Sequence, residues 1–295
     1  MTRIDSPDLP DAIARAQISA RAALEAHLAQ ARQPELRPAF VMLDEADAQA
    51  QADAIDRQLR LGVSPGALAG LAIGIKDLFD VQGQPTRAGA RALRDAPAAA
   101  ADAPAVARLR AAGAVLIGRT QMTEFAFSGV GINPHDGTPA NAALRALDPL
   151  QPRVPGGSTS GGAVAVAGGA AWAALGSDTG GSLRIPAALH GLVGYKPTQA
   201  LVPCAGTVPL APSFDTVGAI SRRVPDAIRL HNVLADQTVT PERRPLQGWR
   251  FGIARPILQD GLDSEVAAAF EATLQALSRA GAQLQELALP SLAQA

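Results

Sequence analysis

Lysine is nearly absent from this chain of 295 residues: of its 26 basic residues only Lys76 and Lys196 are lysines, and the other 24 are arginines. Arginine stays protonated almost everywhere, whereas a buried lysine can be pushed toward neutrality and act as a base. The two lysines are therefore the basic residues to examine for chemistry. Cysteine is scarcer still, with Cys204 alone, which excludes an intrachain disulfide and a cysteine-rich metal site and makes the reducing cytoplasm the expected compartment. No apolar run is long enough to span a bilayer, and the opening MTRIDSPDLP lacks the apolar core of a signal peptide. A net charge of -1 gives no electrostatic argument for nucleic acid or an anionic membrane as partner. The four histidines, His27, His135, His190 and His231, include no close-spaced pair of the zinc-binding kind.

What the sequence does have is glycine and serine in two clusters, Gly156 to Gly162 (GGSTSGG) and Ser177 to Ser182 (SDTGGS). Each precedes an apolar run that can be helical, Ala163 to Ala170 and Leu183 to Leu189. A loop feeding a helix in this way aims unpaired backbone N–H groups at a ligand, and glycine lets the ligand come close. Hydroxyls beside such donors are what acyl transfer needs, a nucleophile and a cradle for the oxyanion it creates. A single such cluster is ordinarily just a loop; two of them, joined by an apolar strand-like segment ending at Gly176, favour a site. No lysine follows either cluster as a phosphate-binding loop requires, and neither fits the dinucleotide fingerprint. Gly157 to Gly161 also matches the Gly-x-Ser-x-Gly elbow of α/β-hydrolases, which would need His190 or His231 as a base.

Lys76 lies in the strand-like run Leu71 to Phe79, where a charge is out of character. A base and a structural ion pair with Asp77 are both readings of it. Along the rest of the chain, helices are expected over Asp11 to Arg32, Glu45 to Arg60, Ala105 to Ala112, Asp226 to Ala235 and Ser264 to Ala280. Strands are expected over Ala39 to Leu43, Ala114 to Ile117, Thr216 to Ile220, Trp249 to Ala254 and Gln283 to Leu289. Thr120 to Val154 is irregular, broken at Asn133-Pro134 and Asp148-Pro149, and is expected to line the mouth of the site. Arg243 to Pro245 reads as a surface connection. The expected fold class is α/β, a mixed central β-sheet surrounded by helices, with no linker demanding two independent domains within 1–295.

The block from Pro155 to Thr198, with PGGSTSGG, GSDTGGSLRIPA and GYKPT, resembles the amidase signature family of Ser/Ser/Lys amidohydrolases. Gly74 to Asp77 (GIKD) is similar to the family's lysine strand, Thr120 to Ala126 to the segment before its catalytic loop, and the similarity runs from about residue 39 to about 220. The resemblance implies Ser182 as nucleophile, Ser158 as the bridging serine after a cis Gly157–Ser158 bond, and Lys76 as base. The N–H groups of Thr179, Gly180, Gly181 and Ser182 would form the oxyanion hole. It implies no metal or organic cofactor and a small-molecule amide as substrate. Thr159 and Gly162 stand where the family often has serine. Family members usually continue well past residue 295, so a C-terminally truncated fold is expected, with a homodimer or a complementing C-terminal fragment as partner. Three functions are then open: an amidohydrolase, a glutamine-hydrolysing A-type subunit of a tRNA-dependent amidotransferase, and a defective family member.

Overall fold

The computed structural model describes residues 6, 8–145, 147, 150–240, 244–255 and 259–291. In chain order the elements are α1 (Leu9–Ala14), α2 (Ala20–Ala31), β1 (Phe40–Leu43), α3 (Glu45–Arg60), β2 (Ala72–Lys76), α4 (Pro104–Ala111), β3 (Val115–Thr120) and α5 (Ser160–Ala167). There follow β4 (Ala173–Asp178), α6 (Arg184–Leu189), β5 (Val193–Tyr195), β6 (Thr216–Ser221), α7 (Val224–Ala235), β7 (Arg250–Ile253), α8 (Ser264–Arg279) and β8 (Gln283–Glu286). Two compact units emerge, Met1–Val239 and Thr240–Ala295. The expected break at Asp148-Pro149, the connection at Arg243 and the approach to Leu292 fall on residues outside those described.

The first unit is built on a six-stranded mixed sheet in the order β1-β3-β2-β4-β6-β5. Pairs β3–β2 and β2–β4 are parallel, while β1–β3, β4–β6 and β6–β5 are antiparallel. Every residue of β2, β3, β4 and β6 is buried, as strands covered on both faces must be, and their sequences accordingly run apolar without alternation. The second unit pairs β7 with β8 in parallel, with α8 packed on β8. Among the described residues no helix is long and apolar enough to cross a membrane.

Local chemistry explains most boundaries. Asp44 caps α3 by accepting from the Asp47 N–H at 3.3 Å. Glu45 and Asp47 stand in its first turn and Arg57 and Arg60 in its last, an arrangement that opposes the helix dipole. The single helix expected over Asp11 to Arg32 is instead two. Ala16 takes a left-handed φ of 54°, and Ser19 starts α2 afresh by accepting from Ala22 N at 3.0 Å. Helix α5 carries only small side chains and is buried on all sides. It lies close against β2, β3, β4 and β6, which glycine makes feasible: a Cβ on Gly161 would stand 2.1 Å from the Ala39 carbonyl oxygen.

Candidate active site

Because β2 and β4 are parallel neighbours, their C-terminal ends emerge at the same edge of the sheet. The antiparallel β6 begins there, with Asp178 opposite Thr216. Crevices at the carboxyl ends of strands are where open α/β sheets bind ligands. Lys76 is the last residue of β2 and Asp178 the last of β4. Ile75 pairs with Leu175, so one step further along the strands Lys76 stands level with Gly176, and Ser177 is the next residue of β4.

Lys76 is wholly buried. Its Nζ donates to Ser158 Oγ at 2.8 Å and to Ser177 Oγ at 2.9 Å. Neither partner carries a charge, so these two bonds replace only part of the lost hydration and leave the ammonium without an opposite charge in direct contact. Burial pushes the ammonium down to about 7, against the weaker opposing pull of Asp178 and Asp215. Asp77, the alternative partner in an ion pair, bonds instead to Arg119, Nε to Oδ1 at 3.2 Å.

Ser158 follows a cis Gly157–Ser158 peptide bond, the configuration the resemblance implies, and is fully buried. Its carbonyl accepts from Thr123 N at 3.2 Å, and Gly157 N donates to Gly129 O at 2.8 Å. The irregular segment after Thr120 thus packs directly on this turn. Ser182 belongs to the second cluster and is nearly buried, 7% exposed. Its carbonyl accepts from Thr159 N at 3.2 Å, which ties the two Gly/Ser clusters together. Among the described residues the Ser182 hydroxyl makes no hydrogen bond, and the Lys76–Ser158 contact is the formed half of the expected relay. Catalytic hydrogen bonds often tighten only when substrate is present.

The loop from Thr179 to Ser182 is shaped by Asp178. One carboxylate oxygen accepts from Gly181 N at 2.7 Å, the other from Leu183 N at 3.1 Å, and the Arg184 guanidinium grips both. Burial pushes the Asp178 carboxyl up, but Arg184 and these N–H groups outweigh it and hold it below the usual carboxylate range. Of the four expected oxyanion donors, the Gly181 N–H is therefore engaged with a side chain. Gly181 has φ +125°, and a Cβ on Gly180 would meet nothing within 4 Å, so the loop faces open space at its tip.

Reading the sequence alone did not single out Ser177, Asp178 or Asp215 as site residues. The first two sit inside the SDTGGS string and could have been found there. Asp215 could not, since its contact with Thr179, Oγ1 to Oδ1 at 2.5 Å, joins residues far apart in the chain. A narrow cavity of mixed polar and apolar lining, with Leu78, Ser177, Thr179, Asp215, Thr216 and Val217 among its walls, lies among these groups. The elbow alternative finds no base here. His190 holds Pro186 O through Nδ1 at 2.8 Å and accepts from Ala142 N through Nε2, while His231 stacks edge-on against Tyr195 at 5.0 Å.

A mixed α/β sheet of this kind, with helices around it, is the fold of the amidase signature enzymes. The solved peptide amidase of Stenotrophomonas maltophilia superposes with a TM-score of 0.84 at 31% identity, covering 97% of this chain and 62% of that one. The Amidase family model matches residues 22–295, and the chain belongs to that family. It is 41% identical over 256 residues to the 2-amino-5-chloromuconic acid deaminase of Comamonas testosteroni, covering 85% of this chain and 54% of that protein. It is 38% identical over 301 residues to the A-type subunit of the glutamyl-tRNA(Gln) amidotransferase of Roseiflexus sp. (strain RS-1), covering 96% and 60%. The chain thus spans a little over half the length of the curated relatives it matches.

Proposed function

We propose that this chain carries an amide-hydrolysing site in which Ser182 is the nucleophile, Ser158 the proton bridge and Lys76 the base. The observation that carries the reading is Lys76, buried, pushed down to about 7 and hydrogen-bonded to Ser158 at 2.8 Å. A group that loses its proton near neutrality can accept one from a serine through an intervening hydroxyl. Ser182 Oγ attacks the amide carbon, and its proton passes through Ser158 to Lys76 Nζ. The carbonyl oxygen becomes an oxyanion that accepts from the N–H groups of Thr179, Gly180 and Ser182. Collapse breaks the C–N bond, the leaving nitrogen takes the proton back from Lys76 along the same path, and water then hydrolyses the acyl-enzyme with Lys76 again as base. The substrate is a small amide.

Incubation with a fluorophosphonate probe tests this: its mass should add once to the intact protein and map to Ser182. Labelling at Ser158 would replace the assignment with the elbow arrangement. A well-folded protein that takes no label would be the defective family member. A second reading, as the glutamine-hydrolysing component of an amidotransferase, is supported by the 38% identity to such a component over 96% of the chain. Ammonia release from glutamine, measured with and without partner proteins and set against simple amides, separates the two.

A further inference from the structure

Asp215 stands immediately before β6, at the sheet edge where Lys76, Ser177 and Asp178 converge, and nothing in the mechanism above uses it. Its carboxylate is saturated with contacts from two directions. From its own loop it accepts Leu210 N at 3.0 Å and Ala211 N at 3.1 Å. From the end of β4 it accepts Thr179 Oγ1 at 2.5 Å, a short bond of the charge-assisted kind. Thr179 is the first residue of the loop that ends at Ser182. The opposite side of this loop is already fixed by Asp178 through Gly181 and Leu183, and the residue after Asp215, Thr216, donates to Asp178 O at 2.7 Å. The loop is therefore held by two carboxylates, one at each end, and of these two Asp215 is the one that reaches it from outside the SDTGGS string.

We propose that Asp215 is a positioning residue: through Thr179 it fixes the entry of the oxyanion loop. This rests on the amide-hydrolysis reading for its catalytic consequence, but not for its structural one. Fixing Thr179 sets the direction of the Thr179 and Gly180 N–H groups, and donors aimed in advance at the developing charge are worth more than donors that must reorganise. The same carboxylate lies within the electrostatic reach of Lys76, and among the described residues it and Asp178 are the charged groups that oppose the burial of that ammonium.

The test is a double-mutant cycle on the full chain with Asp215→Asn and Thr179→Val, and Thr179→Ser as the conservative rescue. Each single change is expected to lower kcat roughly tenfold to a hundredfold with KM little altered, below the ~10²–10³ that removal of an oxyanion donor costs. The double variant should be no worse than either, and Thr179→Ser should recover most of the rate. Losses that multiply, or a Thr179→Val variant as active as the parent, would overturn the proposal.

A second readout needs no turnover. With two lysines in the chain, isotope labelling of lysine gives two side-chain NMR signals, and the buried one can be titrated directly. Asp215→Asn removes a negative charge, so the Lys76 midpoint should move further down, whereas Thr179→Val should leave it in place. Both changes should shift the backbone amide signals of Thr179 and Gly180. If the parent protein neither turns over an amide nor takes the probe at Ser182, the functional reading fails while these shifts still judge the clamp. Unmoved amide signals in Asp215→Asn would sink it.

Discussion

Two buried cations lie on adjoining strands of the sheet and are treated in opposite ways. Lys76 ends β2, and Arg119 lies one register step back on β3, paired with Ile75; both are almost without solvent contact. Arg119 is given a carboxylate, Asp77. Burial pushes both members of that pair toward neutrality, and each opposes it in the other. Lys76 is given two hydroxyls and only distant carboxylates. A guanidinium paired in this way is a fixed charge, whereas an amine facing hydroxyls is left to titrate. One site holds its charge and the other is left able to lose it near neutrality.

The largest effect should come from making the titrating site resemble the fixed one. Lys76→Arg preserves the charge but cannot give up its proton, so steady-state turnover should fall by about 10²–10⁴, the range of a lost general base, and Lys76→Ala should be equally poor. Near-normal activity in the Arg variant would reduce Lys76 to an electrostatic role. Attacking the fixed site should instead cost stability. Arg119→Met leaves Asp77 buried without its partner, and denaturant unfolding should register a loss of about 3–5 kcal/mol. The pH midpoint of any residual activity should not move, and a shift there would merge the two sites into one electrostatic unit.

Acidity sharpens the contrast further. If neutral Lys76 is the base, kcat/KM should rise through pH about 7 and drop about tenfold for each unit below it. The stability sign follows from the same numbers. The folded value, about 7, lies below the ordinary 10.5, so between these the unfolded chain binds a proton the native one lacks, and stability rises with pH across that window. Lys76→Met should flatten this rise, as unfolding curves at pH 7 and 10 would reveal. The smallest effect belongs to Ser177→Ala, which removes one of the two acceptors of Lys76. A change of about 1 kcal/mol is expected, read as a several-fold loss of kcat; no change would leave Ser158 as the only contact that matters.

What was legible in the sequence followed from local rules. Glu45 to Arg60 is legible as a strongly polar helix, and the buried strands announce themselves as apolar runs. Lys76 stands out because a charge in a strand breaks those rules, and the two Gly/Ser clusters stand out by composition, while the choice of Ser158 and Ser182 within them comes from the family resemblance. The bond from Lys76 to Ser177 was not legible, because it depends on the register of β2 against β4. Nor was the clamp from Asp215 to Thr179, set by β6 lying antiparallel beside β4. The break between α1 and α2 was missed for a different reason: alanine gives no sign that Ala16 will take a left-handed conformation.

The convergence of β2, β4 and β6 at one edge also has a temporal side. Lys76 meets Ser177 across a sequence separation of 101, and the edge is not complete until Thr216 has joined β4. Contacts of such long range close late, after the entropy of the intervening loops has been overcome. On a ribosome adding about 5–20 residues per second, the roughly 140 residues from Lys76 to Thr216 take on the order of 7–30 s to emerge. Throughout that interval the lysine is an ordinary solvated ammonium. Its acidity shifts as burial is completed, so if Ser182 is the nucleophile proposed above, labelling of Ser182 by a probe would report completed assembly of the sheet.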